Sequence, residues 1–144
     1  MRLVVQRTLS SKVEINEKVV GNIAKGLTVL VGFTDNDNEE IIDKMIDKLV
    51  NLRIFDDENG IMNKSLLDVK GSVLSVSQFT LYADCSKGRR PSYIKALNPT
   101  EAIKLYDLFN QKLSNYVKVE TGKFGSNMQV SLINDGPVTI ILEY

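Results

Sequence analysis

Apolar and polar residues alternate through the first third of the chain. RLVVQRT and KVEIN read as strands, and EKVVGNI follows a tight Asn16–Glu17 turn, as in a hairpin or meander. LTVLVGF (Leu27–Phe33) is instead almost continuously apolar, the pattern of a central strand buried on both faces. The period then lengthens. From about Asp37 to Val50, residues Ile41, Ile42, Met45, Ile46 and Leu49 recur at helical spacing, and acids crowd the first turn, where the helix dipole favours them. NLRIFDDENG predicts a short strand entering a turn at Asn59–Gly60, with Asp56 and Asp57 capping or solvating that turn.

A second helix is predicted over NPTEAIKLYDLFNQKL. Asn98 is a good N-cap, Pro99 suits the first helical position, and Glu101 completes a capping box. Ile103, Tyr106, Phe109 and Leu113 form its apolar stripe, and both helical stripes serve core packing. The last third returns to strands in VKVET, NMQVSLIN and PVTIILEY, with NDGP a tight connection between the last two. The order β-rich, helix, β, helix, β-rich predicts an α+β fold with a largely antiparallel sheet and two main helices. With no repeat, low-complexity segment or linker, residues 1–144 read as a single domain.

Composition narrows the chemistry. Hydrophobic residues make up 43% and charged residues 25%, the range of soluble globular proteins. No stretch approaches the roughly 20 apolar residues of a membrane span. The N-terminus lacks the pattern of a signal peptide, because its apolar run is short and charge returns at Arg7. One cysteine, Cys85, excludes an internal disulfide and fits a reducing cytoplasmic compartment. The formal net charge is zero, so no global field draws the chain onto nucleic acid. Charge is segregated, however: residues 35–48 are acidic, and Lys87, Arg89, Arg90 and Lys95 make residues 84–95 basic.

There is no histidine. That removes Ser-His-Asp and Cys-His arrangements and any His-ligated metal, and nothing resembles a zinc site; no cofactor is expected. Without a histidine partner, Cys85 reads as a loop thiol. No Walker or G-x-G-x-x-G loop occurs, and GKFGSN matches neither. Three stretches remain. SQFTL, at the end of the strand SVLSVSQF, carries Ser77, Gln78 and Thr80. Their polar groups either bond nearby backbone, as is common at a strand end, or sit beside N–H groups aimed at developing negative charge. NDGPVT (Asn134–Thr139) is strong turn chemistry. CSKGRRPSY is a basic loop with Tyr93, either solvated or contacting phosphate through its arginine forks.

The ordered set VVQR, VNLRIF, SQFTLYAD, KGRRPS and NDGPVT resembles the D-aminoacyl-tRNA deacylase family nearly end to end, with both signatures intact. The resemblance implies a barrel-like sheet and a cytoplasmic homodimer with metal-free sites at the subunit interface. It implies hydrolysis of the ester joining a D-amino acid to tRNA, and clearance of mischarged glycyl-tRNA. It places Ser77, Gln78, Phe79 and Thr80 around the scissile ester. Gly136–Pro137 becomes a cis peptide reaching into the partner's pocket as a chiral filter, with Asn134 beside it and Arg7 as its brace. Lys87, Arg89 and Arg90 become tRNA contacts.

These implications are physically coherent. Rigid backbone placed where any L side chain would project rejects L-residues without recognising each D-residue, and glycine passes. Glycine permits the close approach and proline fixes φ. An aminoacyl ester is already reactive, and the family is understood to use the 2′-hydroxyl of the terminal adenosine to assist water. The protein is left to orient the ester and stabilise the oxyanion through N–H groups near Phe79 and Thr80. Thr80 then serves positioning, since only a lysine of depressed pKa would act as its base. Two rival readings are an esterase with Thr80 as covalent nucleophile and a non-catalytic RNA-binding module using Lys87, Arg89, Arg90 and Tyr93. Zero net charge and the lack of an aromatic platform count against the second.

Overall fold

A computed structural model describes all residues, 1–144. One long strand organises it. Strand β1 (Arg2–Ile15) is antiparallel to β2 (Lys18–Ile23) through its C-terminal half and to β3 (Gly26–Gly32) through its N-terminal half. Along its other edge runs the final strand. The β1–β2 connection is the expected two-residue turn, with Asn16 at φ 48° and Glu17 at φ 64°. Positive φ at both positions gives the turn the twist that the flanking strands need.

Helix α1 (Glu39–Asn51) starts slightly later than its periodicity predicts. Asn38 is the cap, its side chain accepting from the Ile41 N–H at 3.1 Å. Asp37 stays outside the helix, where one carboxylate oxygen accepts from the Thr34 N–H at 2.8 Å. The other pairs with the buried Met1 ammonium at 2.5 Å. A hairpin of β4 (Phe55–Asp56) and β5 (Met62–Lys64) follows, and the Asp57 carboxylate caps its turn by accepting from Asn59 and Ile61 N–H groups.

Strand β6 (Ser72–Ser77) then adds parallel to β3. Helix α2 (Pro99–Leu113) crosses over to β7 (Val119–Thr121), which adds parallel to β6. A parallel pair needs a long crossover, and α1 and α2 supply them. The expected antiparallel sheet therefore holds around β1, while β3, β6 and β7 form a parallel arm that the residue pattern did not reveal. The near-continuous hydrophobicity of β3 follows from its place inside this sheet.

Asn98 caps α2 as expected, accepting from the Glu101 N–H at 3.1 Å. The reciprocal half of the capping box is not made, because the Glu101 carboxylate pairs with Lys104 at 2.9 Å. The buried stripe is Ala102, Tyr106, Phe109 and Leu113; Ile103, expected within it, is 39% exposed. Lys112 ties the helices together through Glu39 and Asp43 at 2.6 and 2.7 Å.

The sheet curls towards a barrel. Gly21 of β2 meets the Thr121 carbonyl of β7 so closely that a Cβ there would stand 2.7 Å from it. One core lies between the sheet and the helices, with Leu3, Val5, Val29 and Val73 facing Met45, Leu49 and Phe109. A smaller core of Val13, Ile23, Leu74 and Val76 fills the barrel. No helix is long and apolar enough to cross a membrane.

The C-terminal third departs from expectation. NMQVSLIN and PVTIILEY are one strand, β8 (Gln129–Glu143), paired with β1 from Glu14 to Arg2. Gln6 pairs with Thr139 and Thr8 with Asn134, so four residues of β8 bulge out opposite Arg7. The turn residues of NDGP form this bulge, not a hairpin.

Candidate active site

The β6 ladder ends where the Gln78 N–H donates to the Val31 carbonyl at 2.7 Å. The chain then winds into a 3-10 turn over Phe79–Tyr82. Phe79 and Thr80 open this turn, at positions whose N–H groups have no intrahelical acceptor. Gly32 lets the turn approach β3, since a Cβ there would stand 3.0 Å from the Gln78 carbonyl. Arg2 secures its far end by donating to the Leu81 carbonyl and stacking over Tyr82 at 4.7 Å. Burial, together with the nearby Asp37 and Glu143 charges, pushes the Tyr82 phenol up to about 12.

Above the turn opens a cleft of about 600 Å³. Ser77, Gln78 and Phe79 form one wall; Tyr93, Leu97 and Ala102 form another. The third wall is the loop Phe124–Met128 together with Val130 at the start of β8. Phe79 is 56% exposed, and its ring meets that of Tyr93 edge-on at 5.1 Å. Thr80 does not line the cleft. Its hydroxyl oxygen accepts from the Gln78 side-chain amide at 2.5 Å, and no carboxylate or amine contacts it. The third wall comes from GKFGSN, which carries no phosphate-loop pattern. Gly125, at φ 73° between Phe124 and Ser126, supplies the left-handed residue of its turn.

The second group of expected residues lies in the β8 bulge. Gly136–Pro137 is a cis peptide, with Gly136 at φ 123°. Asn134 closes the bulge, accepting from the Val138 N–H at 3.0 Å and donating to the Thr139 hydroxyl at 3.0 Å. Arg7, 6% exposed, lies beneath it. Its Nε donates to the Asp135 carbonyl at 3.1 Å, and its Nη1 donates to the Ile54 carbonyl at 2.7 Å. The Asp135 and Asp56 carboxylates flank the guanidinium at 3.3 Å each. Arg7 thus joins the bulge to hairpin β4–β5. Gly136 and Pro137 are exposed and do not line the cleft of their own chain.

Lys87, Arg89 and Arg90 project from an exposed loop whose ends are paired through Asp84 and Ser92. The Asp84 carboxylate accepts from the Ser86 N–H and pairs with Lys95, both at 3.0 Å. Hydrogen bonds from Ser86, then Lys95, hold this carboxyl well below the usual carboxylate range. Cys85 is exposed in the same loop. No three His, Cys, Asp or Glu side chains converge into a metal-binding group.

Comparison with known proteins gives a consistent result. The model of the family described as D-Tyr-tRNA(Tyr) deacylase matches residues 4–143. A D-aminoacyl-tRNA deacylase of Thermosipho africanus (strain TCF52B) is 58% identical over 144 residues, covering 99% of this chain and 97% of the relative. That of Bacillus cytotoxicus is 55% identical, covering 99% of each. A solved structure described as c-Myc DNA Unwinding Element Binding Protein superposes with a TM-score of 0.95 at 37% identity, covering 100% of this chain and 99% of the other. A probable eukaryotic D-amino acid tRNA deacylase superposes at 0.83 with 20% identity, a likeness of fold.

Proposed function

The chain belongs to the D-Tyr-tRNA(Tyr) deacylase family, a D-aminoacyl-tRNA hydrolase, and from that premise we propose how its residues divide the work. The aminoacyl ester lies in the cleft against Ser77, Gln78 and Phe79. Water adds to the ester carbonyl carbon, and the N–H groups of Phe79 and Thr80 stabilise the oxyanion. The bond to the 3′ oxygen then breaks, and that oxygen leaves with a proton. The neighbouring 2′-hydroxyl of the terminal adenosine assists the water. The observation that carries this reading is the setting of Thr80: its hydroxyl accepts from Gln78, and no base stands beside it. A hydroxyl so placed holds the Gln78 side chain against the cleft instead of attacking the ester.

The filter is Gly136 and Pro137 of the partner subunit. Two observations support an assignment across subunits. The bulge lies outside its own chain's cleft, and Leu9, Ile133 and Ile141 expose apolar surface on the same strand pair at 51%, 57% and 65%. Backbone in that place rejects L side chains and passes glycine, so glycyl-tRNA is also a substrate. Lys87, Arg89 and Arg90 hold tRNA phosphates.

The test pairs a protein change with a substrate change. Thr80→Ala should retain most of its activity, whereas D-tyrosyl-tRNA ending in 2′-deoxyadenosine should be turned over very poorly. Loss of activity in Thr80→Ala, with normal turnover of the deoxy substrate, would refute the RNA-assisted mechanism and favour Thr80 as nucleophile.

A further inference from the structure

A second hollow, of about 400 Å³, lies beside the cleft and shares Phe124 as a wall. Its other side is the face of α2 that carries Ile103, Tyr106, Asp107 and Asn110, and Lys123 stands at its edge. Several features here have no use in holding the fold. Ile103 stays exposed on a helix whose stripe packs without it. The Asn110 side-chain oxygen is buried with no hydrogen-bond partner, although buried acceptors are nearly always satisfied. Asp107 forms no ion pair, and neither does Lys123. The hollow thus offers two uncommitted acceptors, one uncommitted cation and apolar faces from Ile103 and Phe124.

We propose that this hollow is a subsite for the penultimate nucleotide of the substrate, the cytidine that precedes the terminal adenosine in every tRNA. The proposal rests on the assignment of the ester to the neighbouring cleft, and it adds where the chain of nucleotides goes next. Cytosine presents an exocyclic amine, the donor that Asn110 and Asp107 lack, and carboxylate or amide oxygens are the usual partners of that amine. The Lys123 ammonium suits the adjoining phosphate. Phe124 and Ile103 suit the faces of the base. The volume falls within the range of pockets that hold small ligands. Such a site also fits an enzyme acting on many tRNAs, because it reads a part that all of them share.

Uridine tests the donor–acceptor logic, since it places a carbonyl oxygen where cytidine has its amine. D-tyrosyl-tRNAs ending in CCA or CUA, acylated chemically, would be compared with D-tyrosyl-adenosine, which lacks the nucleotide altogether. The wild-type protein should prefer the CCA substrate in kcat/KM by about tenfold to a hundredfold, the scale of one good base contact. Asp107→Ala, at an exposed helical position, and Asn110→Ala should erase most of that preference and leave D-tyrosyl-adenosine hydrolysis unchanged. Equal kcat/KM for the two tRNAs with wild-type protein would overturn the subsite, whatever happens to the short substrate. A preserved CCA preference that neither variant alters would overturn it equally. Failure to hydrolyse D-tyrosyl-adenosine, alongside a CCA preference that both variants erase, would count against the cleft assignment and leave the subsite standing.

Discussion

Replacing Arg7 by lysine keeps the charge and most of the volume but removes the fork. The guanidinium reaches two carbonyls on different segments, Ile54 at 2.7 Å and Asp135 at 3.1 Å, through different nitrogens. A lysine ammonium has one nitrogen and retains one of them. A hydrogen bond from a charged donor contributes about 1.5–3 kcal/mol, so Arg7→Lys should lose about that much in stability. Arg7→Ala frees both carbonyls and loses both of these hydrogen bonds, about 3–6 kcal/mol. Urea unfolding measures the first quantity. The second readout is the ratio of kcat/KM for D-tyrosyl-tRNA and L-tyrosyl-tRNA, taken where each variant remains folded. If Arg7 braces the filter, L-tyrosyl-tRNA hydrolysis should rise tenfold or more in Arg7→Lys while D-tyrosyl-tRNA hydrolysis changes only a few-fold. Wild-type stability in both variants would refute the hydrogen-bond reasoning. Reduced stability with an unchanged ratio would make Arg7 a structural residue and refute the brace.

Three further outcomes are expected. In Gly26→Ala the new Cβ would stand 1.9 Å from the Ser72 carbonyl oxygen, so the β3–β6 pair must part; thermal unfolding should register a loss of about 3 kcal/mol. Single alanine replacements of Lys87, Arg89 and Arg90 should lower kcat/KM on tRNA and flatten its salt dependence by about one unit of slope each, leaving D-tyrosyl-adenosine unaffected. Asp84 has a folded-state pKa below its ordinary 3.8, so the unfolded chain takes up this proton first. Its contribution is complete above about pH 5 and fades as pH falls through 3.8 toward the folded-state value; a carboxyl titration by NMR should place its midpoint below 3.8, and Asp84→Asn should remove the effect.

Local signals made the helices and the first hairpin legible. Each helix carries its own period and its own cap, and the Asn16–Glu17 turn joins adjacent strands. SQFTL was legible as a strand end because its polar residues interrupt an apolar run. What escaped depends on partners distant in sequence. Asn-Asp-Gly-Pro encodes a reversal or a bulge equally well, and only the register of β8 against β1 decides for the bulge. Ile103 has the spacing of a core residue, yet α2 is turned so that Ala102 packs instead. The Phe124–Met128 wall was invisible because its function comes from standing opposite Ser77–Phe79, not from any pattern of its own.

Strand β1 carries Arg2 and Arg7, five positions apart, and an odd interval puts them on opposite faces. Arg2 holds the end of the 3-10 turn, while Arg7 holds the bulge. The strand therefore works as a ruler whose parity matters. Deleting one residue between them would bring both arginines to the same face and release either the turn or the bulge. Length changes in this protein should accordingly be found at the Asn16–Glu17 and Asn59–Gly60 turns, and never within Leu3–Gln6.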